Sequence, residues 1–242
     1  MSGPSISTSP AVPESRGNAI IGILGVLTGV FVAASILLGF LEPSPSPLDT
    51  YSAYLSHVNL YWTDSLLVLA SGVVGIPFFA GVGRLLSARS PSVSPAATLA
   101  TITGILIAVL GGLLSVGAYW AISQVPVGST YQSNAVFEAA VWDNLSGIFS
   151  LFGFALIGVG LILFGWLAWR SEIVPNWLAV ISIVGGVAGL LFGAGFSTTA
   201  IGILGFFAFL LPLITFLRWG FVIGARLLMA SGSKPMSPPS TA

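Results

Sequence analysis

Two long apolar runs joined by a short polar turn constrain this chain more than any other feature of its sequence. The first run ends at Trp169, the turn carries Arg170, Glu172 and Pro175, and the second run begins at Trp177. Each run is about as long as the roughly 20 apolar residues that a helix needs to cross a bilayer. The pair therefore predicts two antiparallel helices at the centre of a membrane-embedded bundle.

The composition extends this prediction to the whole chain. Only 6% of the 242 residues are charged, against about 25% in an ordinary soluble domain. The formal net charge is zero, so the chain offers no basic surface to nucleic acid, and we predict no nucleic-acid partner. Cysteine is absent, which excludes disulfides, thiolate metal sites and cysteine nucleophiles.

We predict an all-α fold, a polytopic integral membrane protein built as a bundle of six transmembrane helices. The predicted spans are residues 19–41, 64–83, 98–122, 142–169, 177–196 and 200–223. Together they form a transmembrane domain over residues 19–230. Residues 1–18 and 231–242, rich in Ser and Pro, are predicted to be a disordered cytoplasmic leader and tail. Pro77 and Pro212 are predicted to kink the second and sixth spans.

The segregation of charge predicts the orientation of the bundle. All the basic residues fall on one side of the six-span arrangement, and none falls on the other side, which receives most of the acidic residues. These basic residues are Arg16, Arg84, Arg89, Arg170, Arg218, Arg226 and Lys234. The positive-inside rule therefore predicts that both termini lie in the cytoplasm. The tryptophans predicted at the outer interface are Trp62, Trp120 and Trp142, and those predicted at the inner interface are Trp166, Trp169, Trp177 and Trp219.

The middle of the membrane is predicted to be chemically quiet. No ionisable residue lies near the centre of any span, which argues against a proton pump or a voltage sensor. One histidine, His57, is too few for two axial haem ligands or a His-rich metal site. The sequence contains no P-loop, HExxH or nucleophile-elbow motif. We therefore predict no cofactor and no metal, and we lean against an enzyme.

The candidate ligand site is a cluster of polar residues predicted at the outer face. Its members are Asp64, Asp143, Asn144, His57 and Glu138. One hypothesis is a small pocket that binds a cation or a polar head group between aromatic side chains. The favoured interpretation is structural: Asp64 and Asp143 offset the macrodipole at the N-termini of their helices.

Small and polar residues inside the spans have two interpretations. The polar ones predict either a path for a small solute or, as we favour, hydrogen bonds between packed helices. They are Ser71, Thr101, Thr103, Ser115, Ser146, Ser150, Ser182 and Thr215. Glycines at four-residue spacing favour close packing within the chain over a dimer interface. They are Gly185, Gly189 and Gly193 in the fifth span and Gly25 and Gly29 in the first.

The segment 153–191 resembles a bacterial family of six-helix membrane proteins known only as a domain of unknown function. In that family a Gly-rich fourth span ends in an Arg-Ser-x-x-x-Pro turn, and another Gly-rich span follows at once. Here the turn is Arg170, Ser171 and Pro175. The glycines in the two flanking helices are Gly160, Gly165, Gly185, Gly186 and Gly189. The first half of the chain departs from the family. The resemblance implies a six-helix fold and a bacterial plasma membrane, but no activity.

These observations predict a non-enzymatic integral membrane protein of the plasma membrane. We expect it to act through helix packing with the lipid bilayer, with a partner membrane protein or with further copies of itself. The alternative is a small-solute permease or channel, supported by the prolines of the second and sixth spans and by the polar residues inside the membrane. A more distant alternative is a membrane enzyme that uses Asp64 and Asp143 at its outer face.

Overall fold

A computed structural model shows the chain as a bundle of six helices. It describes residues 13–41, 52–88, 90–126, 128–171, 174–196 and 202–232, and these contain no strand. The helices are α1 Pro13–Gly39, α2 Ser52–Ser87, α3 Val93–Ser123, α4 Gln132–Trp169, α5 Asn176–Leu191 and α6 Gly202–Gly232. A π-helical turn, Phe192–Phe196, continues α5.

The predicted fold class is confirmed. Each of the six helices contains a stretch that is long and apolar enough to cross a membrane. Large apolar side chains such as Leu99, Phe152 and Val184 are exposed on the outside of the bundle. Lipid accepts such side chains, whereas the backbone polar groups must be paired inside the helices, as they are here.

Several helices extend beyond their predicted bounds. α1 begins at Pro13 instead of residue 19, α2 at Ser52 instead of residue 64, and α4 at Gln132 instead of residue 142. The predicted disordered leader is therefore helical from residue 13, and its residues 1–12 lie outside the described residues. α6 continues to Gly232, and the rest of the predicted tail also lies outside them. Both predicted kink prolines lie inside continuous helices.

Contacts between neighbouring helices explain the parts of the α2 and α4 extensions that adjoin the predicted spans. Ala139, near the start of α4, is buried against Ala118 and Ile122 at the end of α3. Tyr61 of α2 stacks on Tyr119 of α3, with ring centroids 5.1 Å apart. These side chains pack on one another beyond the predicted apolar runs, so the helices continue past the point at which hydropathy alone would end them.

The six helices close a ring. Helices that are consecutive in the chain are neighbours in space, and α6 returns to pack against α1. Successive helices are antiparallel, so the end of one helix and the start of the next lie at the same end of the bundle. The two ends differ in the charged residues that they carry. We call the end that carries Arg16, Arg84 and Arg170 the basic end. The opposite end, which carries Asp64 and Glu138, is the acidic end.

The apolar core lies in the half of the ring nearest the basic end. Five aromatic side chains, which we call the aromatic plug, occupy its centre: Phe78, Phe79, Phe164, Phe216 and Trp219, each at most 8% exposed. The ring centroid of Phe79 lies 4.4 Å from that of Phe216 and 5.7 Å from that of Phe164. The plug joins α2, α4 and α6 through the middle of the ring.

Trp219 belongs to this plug and is not the interface anchor that its position in the sequence predicts. It is fully buried, and its Nε1 donates a hydrogen bond to Ser182 Oγ at 2.6 Å. The Ser182 hydroxyl in turn donates to the Leu178 carbonyl at 2.6 Å. A buried indole needs an acceptor for its N–H, and α5 supplies one here. The other three tryptophans predicted at the inner interface are exposed.

The predicted packing glycines face the interior of the bundle. Gly185, Gly189 and Gly193 lie against α4 or α6, and Gly25 and Gly29 lie against α2 or α6. A Cβ added at any of the five would lie within 3.1 Å of an atom of a neighbouring helix. Such positions allow helix backbones to approach closely in lipid.

A matched pair of substitutions in α4 tests this packing. A Cβ at Gly158 would lie 2.5 Å from the carbonyl oxygen of Gly186 in α5. We expect Gly158→Leu to separate the two helices and to lower the free energy of unfolding by about 1–3 kcal/mol, the usual cost of overpacking. Gly147→Leu is the control, because a Cβ there meets nothing within 4 Å. The apparent Tm of each purified variant in detergent, compared with that of the unsubstituted protein, measures both losses of stability. Equal losses would contradict the prediction.

Candidate functional site

The ring encloses a cavity of about 460 Å³ in the half nearest the acidic end. Side chains from α1, α2, α3, α4, α6 and the π-helical turn line it. At the acidic end it reaches Gly39 and Phe40, which are exposed, and we call this end of the cavity its mouth. At its other end it stops at the aromatic plug, where Phe216 forms part of its floor.

The charged side chain of the cavity lies near the mouth, and the deeper lining is mostly apolar, with Ser71 and Ser150 as its polar members. Along α2, Asp64 and Ser65 come before Gly72 on the way from the acidic end. Along α4, Ser146 comes before Ile157 in the same direction. From Asp64 to Gly72 the helix advances about 12 Å, and from Ser146 to Ile157 about 16 Å. The cavity is therefore amphipathic along its depth.

Asp64 is the one charged residue among the described residues that line the cavity. Its side chain is half-buried, and Ser35 Oγ of α1 donates a hydrogen bond to its Oδ1 at 2.6 Å. This short bond links α1 to α2 at the mouth and orients the carboxyl group. Ionisable residues in membrane helices mark functional sites more often than packing positions.

A second pair of hydroxyls links α3 to α4 at the mouth. Ser115 Oγ and Ser146 Oγ lie 2.7 Å apart, and either oxygen is able to donate. Both residues also line the cavity. They offer hydrogen-bonding groups to a ligand that enters from the acidic end.

An aromatic wall lines the deeper part of the cavity. It consists of Phe154 of α4, Phe192 of the π-helical turn and Phe209 of α6. The three ring centroids lie 5.2 to 5.5 Å from one another. Local π-helical segments are often found at functional sites, and here the turn carries one member of the wall. The wall offers apolar surface, and aromatic faces also attract cations.

Of the polar residues predicted at the outer face, three have described side chains, and among these only Asp64 lines the cavity. Asp64 lies in the cavity mouth, whereas Glu138 is exposed on the first turns of α4. Asn144 is also exposed, and its amide donates to a backbone carbonyl of its own helix at 2.7 Å. The side chains of His57 and Asp143 lie outside the described residues.

The favoured interpretation of Asp64 and Asp143 as dipole-compensating residues is wrong. α2 begins at Ser52 and α4 begins at Gln132. Both acids therefore lie about three turns inside their helices, whereas the effect of the macrodipole falls off within the first turn. Compensation of a helix dipole therefore does not explain why α2 carries a carboxyl group at Asp64.

The polar residues predicted inside the spans divide into two groups. Four of them line the cavity: Ser71, Ser115, Ser146 and Ser150. Three others are buried in the packing between helices: Thr101, Ser182 and Thr215. Thr103 is half-buried and lies in neither group. Hydrogen bonds between helices, the favoured interpretation, join Ser115 to Ser146 and also involve Ser182 and Thr215. Thr101 Oγ1 has no hydrogen-bond partner among the described residues.

Sequence reasoning missed Ser35 and the aromatic wall. Ser35 stands in an apolar run with nothing beside it to show that it faces a carboxyl group on another helix. The three phenylalanines lie on α4, the π-helical turn and α6, and the packing of the turn against these two helices brings the rings together. In the sequence, each of these phenylalanines is one apolar residue among many.

The polar groups of this site are few. Among the described residues, no three His, Asp or Glu side chains lie close enough together to hold a metal ion. The polar side chains that line the cavity are one carboxyl group and several serine hydroxyls. Such groups form hydrogen bonds, and the carboxyl group is the one ionisable group among the described residues that line the chamber.

Comparison with known protein families, with curated proteins and with solved structures finds no match to this chain. The resemblance of the segment 153–191 to a bacterial six-helix family therefore stays a prediction. The function has to be argued from the geometry of the cavity.

Two serine substitutions test the bond at the cavity mouth. We expect Ser35→Ala to lower the free energy of unfolding by about 1 kcal/mol, because it removes the hydroxyl that donates to Asp64. Ser71→Ala is the control: Ser71 also lines the cavity, but its Oγ donates to the Val68 carbonyl of its own helix at 2.7 Å. The apparent Tm of each variant, measured in the same detergent, compares the two losses of stability. A loss at Ser71 as large as that at Ser35 would argue against a stabilising interhelical bond.

Proposed function

We propose that this chain is a non-enzymatic multi-pass membrane protein that binds a small amphiphilic molecule in its central cavity. The amphipathic cavity itself is the observation that carries the proposal. Its volume of about 460 Å³ falls within the roughly 300–1,000 Å³ of small-molecule pockets, which are mostly apolar with a few placed polar groups.

Helix packing alone does not account for a chamber of this size. Protein interiors are close-packed, and an empty volume costs stability. In the basic half, the aromatic plug fills the ring. In the acidic half, small residues such as Gly112 and Ser150 line the cavity and leave it unfilled. A ligand supplies the missing contacts.

In this proposal the basic end faces the cytoplasm of a bacterial cell and the cavity opens to the outside. The positive-inside rule supports this orientation. Arg170 lies over the ring of Trp166 at 4.0 Å, and Arg218 lies 5.7 Å from the ring of Trp177. Tryptophans are enriched at membrane interfaces, and basic residues at cytoplasmic ends. The exposed apolar side chains make the bilayer the partner of the outer surface.

Cysteine labelling tests whether the cavity is open and able to hold an amphiphile. The chain has no native cysteine. We expect Ser150→Cys, in the cavity, to react with a membrane-impermeant thiol reagent added to intact cells. Thr215→Cys, at a position 1% exposed beside the plug, should not react. Hexyl glucoside, an uncharged amphiphile, should slow the reaction of Ser150→Cys because it enters the cavity.

Gly117→Cys controls for effects outside the cavity. Gly117 is exposed on α3 toward the acidic end, and a Cβ there meets nothing within 4 Å. Its labelling rate should be the same with and without hexyl glucoside. Protection of Ser150→Cys under every condition would contradict an open cavity. Reaction only after the cells are permeabilised would overturn the proposed orientation.

A permease is the second candidate, and the positions of the two helix prolines favour it. Pro77 directly precedes Phe78 and Phe79 of the plug, and Pro212 lies four residues before Phe216. Proline removes a backbone hydrogen bond and creates a point at which a helix bends. In this candidate the described arrangement is the outward-open state, and bending of α2 and α6 displaces the plug.

Labelling from the cytoplasmic side distinguishes a permease from a binding protein. If the chain is a permease, an impermeant reagent should label Thr215→Cys in inside-out vesicles. An amphiphile that the permease carries should change the rate of this labelling. A binding protein keeps this cysteine protected from both sides. Protection in inside-out vesicles with hexyl glucoside present would therefore count against transport of this amphiphile.

A further inference from the structure

We infer that the ligand of the cavity is a small cationic amphiphile: an organic ammonium ion with an apolar body, bound with its charge at Asp64. This inference rests on the proposed function and names the class of molecule that the cavity accepts. Three features of the site lead to it: the charge of the mouth, the charge of the whole acidic end and the apolar depth.

Among the described side chains, the carboxyl group of Asp64 has no Lys or Arg within reach on the helices around it. Its hydrogen-bond donor, Ser35, is neutral. Arg84, the nearest described basic residue on α2, is about 30 Å away along the helix, and Arg16 of α1 is about 28 Å from Ser35. No Lys or Arg is among the described residues that line the cavity. A partly buried charge favours an opposite charge nearby, and a cationic ligand would supply one.

The charges of the acidic end also favour a cationic ligand. Among the described side chains, this end carries the carboxyl groups of Asp64 and Glu138 and no Lys or Arg. Charge of one sign around a cleft attracts ligands of the other sign and repels those of the same sign. Phosphate, sulfonate and carboxylate ligands are therefore disfavoured. A phospholipid amine is disfavoured too, because its phosphate would accompany the ammonium group to the mouth.

A metal ion alone does not match the lining of this cavity. Calcium takes six to eight oxygen ligands, whereas the mouth offers one carboxyl group and neutral hydroxyls. Below Asp64 the lining becomes aliphatic and aromatic, with Ile105, Ile157 and the aromatic wall. This lining matches an apolar body attached to the ammonium group. Aromatic faces add to the attraction for an organic cation.

Three probes with the same hexyl chain and different charges test the inference. They are hexyltrimethylammonium, hexyl glucoside and hexanesulfonate. The full-length Ser150→Cys protein in phosphatidylglycerol nanodiscs is labelled with N-ethylmaleimide, which is uncharged, at increasing concentrations of each probe. We expect the cation to protect at a concentration about tenfold lower than the glucoside, which is the effect of one close charge pair. The sulfonate should protect least.

Substitutions at Asp64 assign this preference to its charge. In the Ser150→Cys background, Asp64→Asn should reduce the advantage of the cation to less than about twofold, and Asp64→Glu should retain it. Protection by hexyl glucoside in Asp64→Asn shows whether the cavity is still formed, and the ratio of the protecting concentrations of the two probes is the quantity compared. Labelling of Gly117→Cys should respond to none of the probes.

The outcomes separate this inference from the proposed function. If no probe protects Ser150→Cys, both fail. If all three protect equally, or if Asp64→Asn keeps the advantage of the cation, the cavity binds amphiphiles but the assignment of a cationic ligand is overturned. If adding phosphatidylethanolamine to the nanodisc protects the cysteine without any probe, a lipid amine occupies the site, and the assignment to a soluble cation is overturned.

Discussion

The close approach of α1 and α6 near the basic end is the contact on which the ring depends. A Cβ at Gly220 would lie 2.5 Å from the Gly25 carbonyl oxygen, and one at Gly224 would lie 2.8 Å from that of Gly22. Helices in lipid gain little from hydrophobic burial, so contacts of this kind depend on small residues that let the backbones meet. They join the first and last helices of the chain and close the ring. Toward the acidic end the same two helices carry larger residues and line the cavity.

The bundle therefore has a closed half and an open half with different physical roles. In the closed half the aromatic plug fills the ring, and the bond from Trp219 to Ser182 ties α6 to α5. In the open half, two short polar links, Ser35 to Asp64 and Ser115 to Ser146, connect neighbouring helices around the mouth. The closed half holds the helices at positions from which the open half presents a preformed chamber. A preformed site avoids the ordering cost of assembling itself around a ligand.

The number and type of the helices could be predicted from the sequence, whereas the faces of those helices could not. Length and hydropathy determine which segments cross a membrane, but a helix that is apolar all round does not reveal which side faces lipid. For that reason Trp219 was assigned to an interface, and Ser35 was not recognised as the partner of Asp64. The starts of α2 and α4 were predicted too late, because contacts such as Tyr61 on Tyr119 extend them. The four-residue spacing of Gly220 and Gly224 was a usable signal for the contact between α1 and α6.

The carboxyl group of Asp64 is the part of this fold that packing explains least. It does not compensate a helix dipole, and it makes no contact in the core, which the aromatic plug completes in the other half of the ring. An ionisable group within a membrane helix costs stability, and the Ser35 hydroxyl offsets only part of that cost. Proteins depart from the most stable choice of residue chiefly at functional sites. A cation bound at the mouth would neutralise this charge and fill the chamber below it, and it would thereby account for the charge and the empty volume together.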